Sequence, residues 1–178
     1  MPIRQIIFCA LLPLLFLYSN PLAKNVTRYI DDSYGDLVTG FKPTYYPADG
    51  IWQDQSCNVC WNIFDTRQSH NRTYTAATYQ QNMDTMGFSL QFQGTGISVY
   101  FILGNDGHNT TTRTECNFIL DGSPEKSYVH QPLPGRADEY NAKVFKKEGL
   151  ENRLHTLNVD TGKLDHSVYI VFDYAAYT

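Results

Sequence analysis

After its first two dozen residues the chain contains no apolar run that could cross a bilayer as a helix, which needs roughly 20 residues. The last apolar segment, residues 167–177, is too short and carries Asp173. Charge is scarce at 18%, and no basic group is larger than Lys146-Lys147, so the electrostatic footprint of a nucleic-acid binder is missing. No Gly-x-Ser-x-Gly elbow, His-Glu-x-x-His pair or phosphate loop occurs, which removes the common motif-bearing hydrolases and nucleotide enzymes. Only one C-x-x-C is present, Cys57 to Cys60, and a zinc site built on it would need a second pair of ligands. No long stretch has helical periodicity, no segment repeats, and no linker divides the chain. An α-helical fold, a repeat array and a two-domain protein are thereby set aside.

The N-terminus has the three parts of a secretory signal: Arg4, an apolar stretch over residues 6–17 interrupted by Pro13, and a polar exit over residues 18–24. We expect a signal peptide at 1–23, cleaved between Ser19 and Lys24, followed by one domain at 24–178 with no membrane span and an extracellular location. Loss of Arg4 leaves a mildly acidic chain of net charge about −5.

Two kinds of covalent chemistry fit that compartment. Asn25, Asn71 and Asn109 each begin an Asn-x-Thr sequon without proline, which predicts N-glycosylation and places those residues at the surface. Cys9 leaves with the signal, so Cys57, Cys60 and Cys116 remain, an odd number. In an oxidising compartment the reading of choice for Cys57 and Cys60 is a local disulfide that stiffens the loop between Trp52 and Trp61. Alternation puts Cys116 on the face of Phe118 and Leu120, which predicts a buried free thiol. A long-range bridge from Cys116 to Cys57 or Cys60 is the alternative.

The recurring pattern has period two. Phe88, Leu90 and Phe92 alternate with polar residues, Gly94-Thr95-Gly96 reads as a turn, and Ile97, Val99, Phe101 and Leu103 form a second apolar face. Gly104-Asn105-Asp106-Gly107 reads as a turn and not as a calcium loop, because no ordered ligand spacing follows it. A strand through Cys116 closes at Asp121-Gly122. Further strands are expected at 126–130, 140–145, 154–160 and 168–174, and upstream at 29–31 and 73–79. The result is an all-β chain, best read as an antiparallel jelly-roll β-sandwich. Residues 34–69 are the least regular and hold Tyr45, Tyr46, Trp52, Trp61 and the cysteine pair. A long irregular segment of this kind often carries function or covers one end of a core.

Three stretches carry a family likeness: Tyr46-Pro47 and Trp52 ahead of Cys57-x-x-Cys60; Ser89-x-x-Phe92-x-Gly94-Thr95-Gly96 with the later Phe118-x-Leu120-Asp121-Gly122; and His155-Thr156-Leu157 with Phe172-Asp173-Tyr174. Together they resemble a group of secreted and cell-surface proteins of mushroom-forming fungi. The resemblance implies a galactose-binding-domain-like jelly roll whose end loops hold a ligand. Two departures stand out. Asn71-Arg72-Thr73-Tyr74 replaces a Gly-Thr-Trp-His run, and the sequence stops at Thr178, where members of the group often continue into a membrane helix.

Sugar binding needs an aromatic plane for the ring and fixed polar groups for its hydroxyls. Trp52, Trp61, Tyr45 and Tyr46 are the candidate planes; Asp54, Gln55, Asp106 and His108 are the candidate polar groups. The competing reading is that both tryptophans cap the core. Partners are then a glycan or cell-wall polysaccharide, or, in the alternative, an extracellular protein bound by a surface ectodomain. Catalysis is not expected: glycoside cleavage uses two facing carboxylates, no spacing selects such a pair, and Asp31 and Asp32 would point to opposite faces of a strand. No cofactor or metal is implied.

Overall fold

A computed structural model of the chain describes residues 26–48, 50–105 and 110–178. The proposed signal peptide, with Asn25, lies outside them, as do Asp106, His108 and Asn109. The described residues form nine strands: β1 (Arg28–Asp31), β2 (Thr44–Tyr46), β3 (Gln53–Asp54), β4 (Thr75–Tyr79), β5 (Gly87–Leu103), β6 (Thr114–Leu120), β7 (Ser123–His130), β8 (Glu139–Asp160) and β9 (Val168–Tyr177). A single 3₁₀ turn, His70–Arg72, precedes β4. The chain is all-β and every pairing is antiparallel.

Two long strands make the sandwich. The first half of β5 pairs with the end of β8, from Gly87 opposite Asp160 to Gly94 opposite Arg153. Its second half pairs with the start of β8, from Gly96 opposite Glu148 to Leu103 opposite Glu139, and with β9 on its other side. One continuous sheet is thus folded back on itself. The first layer runs β2, β5, β8, β6, β7. The second runs β8, β5, β9, β4, β3, with β1 on β9 beside β4.

The alternation in the sequence is the cause. Phe88, Leu90 and Phe92 point inward from the first layer and Ile97, Val99 and Phe101 from the second, all within 2% of full burial. The inward set switches from even to odd positions across Gly94-Thr95-Gly96, so the strand must change phase there. Phe88 stacks on Phe172 across the layers at 4.4 Å, and Phe118 stacks on Phe145 at 4.6 Å. Each such ring withdraws enough apolar surface to contribute roughly 1.5–3 kcal/mol.

Three expectations are corrected. Gly94-Thr95-Gly96 is not a turn but a bend in an unbroken strand. The backbone of Thr178 crosses the bend, where Thr95 N–H donates to its oxygen, and a Cβ on Gly94 would stand 2.2 Å from that oxygen. The strands expected at 140–145 and 154–160 are one strand, because the charged stretch between them spans from one layer to the other. Finally, β1 ends at Asp31 and the chain turns, so the alternation does not reach Asp32, and both side chains enter one polar junction described below. The Asp121-Gly122 turn is as expected, with φ of 51° and 81°, the signature of a two-residue hairpin turn.

Candidate functional site

The outer face of the second layer carries its own apolar patch, made by Tyr74, Ala76, Ile102, Tyr169 and Val171. The irregular segment before β4 crosses this patch and plants Phe64 in it. Phe64 meets Tyr74 edge-on at 5.5 Å and stacks on Tyr169 at 6.3 Å. The backbone is pinned at the same point: Phe64 N–H donates to the Tyr74 hydroxyl (3.2 Å) and Asp65 N–H to the Tyr140 hydroxyl (2.8 Å). Burial raises the pKa of Tyr74 and Tyr140, so both remain neutral phenols.

N-terminal to that anchor the segment lifts off the sheet and leaves a cavity of about 520 Å³. Its floor is Tyr74, Ala76 and Tyr169; one wall is Gln53 and Asp54 of β3; the roof is the 57–62 loop, closed by the Cys57–Cys60 disulfide (S–S 2.04 Å). Trp61 stands at the mouth, 87% exposed, with Val59 and Ile63 exposed beside it. The roof is tied across the opening: Asn62 Nδ2 donates to Thr111 O (3.3 Å), and Thr110 Oγ1 donates to Asn62 Oδ1 (2.7 Å). Asp54 organises the entry to the roof, its Oδ1 accepting from Ser56 N–H (2.8 Å) and Ser56 Oγ (2.6 Å). Those hydrogen bonds lower its pKa. Asp54 is the one charged side chain among the described lining residues.

The sequence candidates separate into two groups. Trp61 and Asp54 meet at the groove. Trp52, Tyr45 and Tyr46 do not line it. The Trp52 indole packs on Tyr45 at 4.8 Å and edge-on against Phe88 at 6.2 Å, and its Nε1 donates to Tyr46 O (3.1 Å). Tyr45 donates to Asp32 O (2.8 Å), and Tyr46 donates to Val159 O (3.4 Å). These rings cover the edge of the core. Asn71 is exposed, and its Nδ2 donates to Asp31 Oδ2 (2.9 Å). Cys116 is a buried free thiol inside the core, where burial pushes its pKa up. His155 is a buried, satisfied histidine: Nδ1 lies 2.8 Å from Asp121 Oδ2 and Nε2 lies 2.8 Å from Glu151 O.

Sequence reasoning did not find a second polar centre, where the end of β1, the start of β4 and the middle of β9 meet. Asp31, Asp32 and Asp173 are buried there at 2%, 2% and 0% exposure. Asp31 accepts from Ser33 N–H, Tyr34 N–H, Asn71 Nδ2 and Thr73 Oγ1. Thr75 Oγ1 donates to Asp32 Oδ2 (2.6 Å), and His70 N–H donates to Asp173 Oδ1 (2.8 Å). The available signal was the pair Asp31-Asp32 followed by Gly35-Asp36, a tight turn loaded with acceptors.

No family model and no curated protein matches the sequence. Among solved structures, the chain is similar to the Agl-KA catalytic domain with a TM-score of 0.46 and 9% identity, over 85% of this chain and 27% of that one. It is also similar to TmCBM61, solved with β-1,4-galactotriose, with a TM-score of 0.38 and 10% identity, over 78% of this chain and 88% of that one. The chain thus spans about a quarter of the Agl-KA domain, and likenesses this distant carry no functional argument. Among the described residues no helix is long and apolar enough to cross a membrane.

Proposed function

We propose that the chain is a secreted, N-glycosylated binding module that takes a neutral carbohydrate in the groove beneath the Cys57–Cys60 loop. The observation that carries this reading is the Trp61 indole, 87% exposed at the mouth of a cavity lined by both apolar and polar residues. Such a ring is stranded in water unless something covers it, and the C–H face of a sugar is a suitable cover. Gln53, Asn62 and Thr78 supply amide and hydroxyl groups for sugar hydroxyls. Asp54, the one charge among the described lining residues, disfavours uronic or sulfated sugars by repulsion. The likeness to secreted fungal proteins suggests a cell-wall polysaccharide as the source of the ligand.

The test is a glycan array followed by calorimetry on the secreted protein and on Trp61→Ala. Binding to a neutral glycan that falls at least tenfold in the variant is expected. Binding that is indifferent to Trp61 overturns the site. A second reading has its own observation: Val59, Trp61 and Ile63 are exposed together on one short loop, which suits an extracellular protein partner equally well. An array silent to every sugar favours that alternative.

A further inference from the structure

We propose that Asp32 and Asp173 share one proton across the β1–β9 junction, and that this proton fastens the foot of the loop that builds the groove. The two residues lie side by side, with Asp32 N–H donating to Asp173 O (3.2 Å). Asp173 is the extra residue of a β-bulge: Phe172 and Tyr174 pair with Phe101 and Tyr100 of β5, and Asp173 is left between them. Each carboxyl uses one oxygen, Asp32 Oδ2 toward Thr75 and Ser33, and Asp173 Oδ1 toward His70 N–H. The other two, Asp32 Oδ1 and Asp173 Oδ2, are buried with no hydrogen-bond partner. Two buried acceptors with nothing to accept, on residues joined by a backbone hydrogen bond, are costly. One proton cures both, since a protonated carboxyl donates and its ionised neighbour accepts.

The surroundings favour a proton over a cation. Among the described residues no lysine or arginine pairs with either carboxyl, and no group of three or more His, Cys, Asp or Glu is placed to hold a metal ion. The third carboxyl, Asp31, spends its oxygens on four donors. From the 3₁₀ turn, His70 is shifted down by burial, against the pull of Asp31, and brings no positive charge at neutral pH. Tyr45 on β2 is held neutral by burial, as is Tyr174 on β9. Asp36 is also buried, but hydrogen bonds from Thr39 and Tyr177 keep it ionised, and Arg28 acts on Tyr177. Burial pushes Asp32 up to about 6 and Asp173 up to about 7.

The pair holds His70 and Thr75, and neighbouring Asp31 holds Thr73, along the return of the groove loop into β4. The proposal therefore ties loop anchorage to pH, and it stands whether or not the groove takes a sugar. Both carboxyls are raised above their unfolded value of 3.8, so their contribution is complete below that value and is lost as pH rises through about 6 to 7. Thermal unfolding of the secreted protein is expected to show Tm falling by roughly 5–10 °C between pH 5 and pH 8. Asp173→Asn keeps the acceptor for His70 and supplies a permanent donor, so it flattens the profile; Asp84→Asn, on an exposed aspartate, leaves the slope alone. Infrared titration of the wild type supplies a reading that needs no variant: a protonated-carboxyl band persisting at pH 6. A flat Tm profile, an unchanged slope in Asp173→Asn, or a band already gone at pH 5 overturns the proposal. Recovery of the pH 8 stability by added calcium, lost in Asp173→Asn, assigns the orphan oxygens to a cation and overturns it equally.

Discussion

Trp52 and Trp61 are nine positions apart and flank the same disulfide, yet the fold uses them in opposite ways. Trp52 spends its Nε1–H on Tyr46 O and its ring on Tyr45 and Phe88. Trp61 is almost wholly in water. The difference lies in the strands that bracket them. β2 pairs with Gly87–Ser89 of β5 and carries its neighbours against the core, whereas the 57–62 loop forms no strand and is held by Asp54, by Phe64 and by the Asn62 ties to Thr110 and Thr111. A tryptophan beside an anchored strand becomes structure, and one on a lifted loop stays exposed to solvent.

Four substitutions sharpen or break that contrast. Trp52→Ala has the largest expected effect, about 3–5 kcal/mol of lost stability in urea unfolding, through the cavity it leaves against Phe88; a loss below about 1 kcal/mol would show that Trp52 is not part of the core. Gly94→Ala forces a methyl against the backbone oxygen of Thr178, and about 1–3 kcal/mol of destabilisation should follow in the same assay. Replacing Cys57 and Cys60 together by serine should cost only about 1–2 kcal/mol, because the bridged loop is short. It should nonetheless weaken any Trp61-dependent binding several-fold by loosening the roof, as calorimetry would register. Trp61→Ala should change stability by less than about 0.5 kcal/mol, while acrylamide quenching of the remaining fluorescence drops sharply because the accessible indole is gone. A large stability loss on removing Trp61 would erase the distinction between the two residues.

The local part of this fold was open to sequence reading. Period-two runs at 88–92, 97–103 and 114–121 specified strands and their inward faces, because a sheet with one buried side imposes that rhythm directly. What local pattern could not convey was continuity. Gly94-Thr95-Gly96 permits a turn or a bend, and the passage of the Thr178 backbone, 83 positions away in the Thr95–Thr178 hydrogen bond, favours the bend. The middle of β8 is exposed and charged, so nothing in its composition announces a strand joining two layers. The site was legible by residue type but not by place. Tyr45, Tyr46, Trp52 and Trp61 look alike in sequence, and only tertiary packing distinguishes a core cap from a groove lip. Alternation would separate Asp31 from Asp32, but the strand ends at Asp31 and the alternation ends with it.

Because β5 and β8 each belong to both layers, the sandwich has no interface along which one sheet can slide off the other. Any tension applied to the groove side passes into the opposite layer through peptide bonds at two separate crossings, in addition to the side-chain contacts between them. A molecule wired in this way resists shear as a sewn seam does and should yield as a whole.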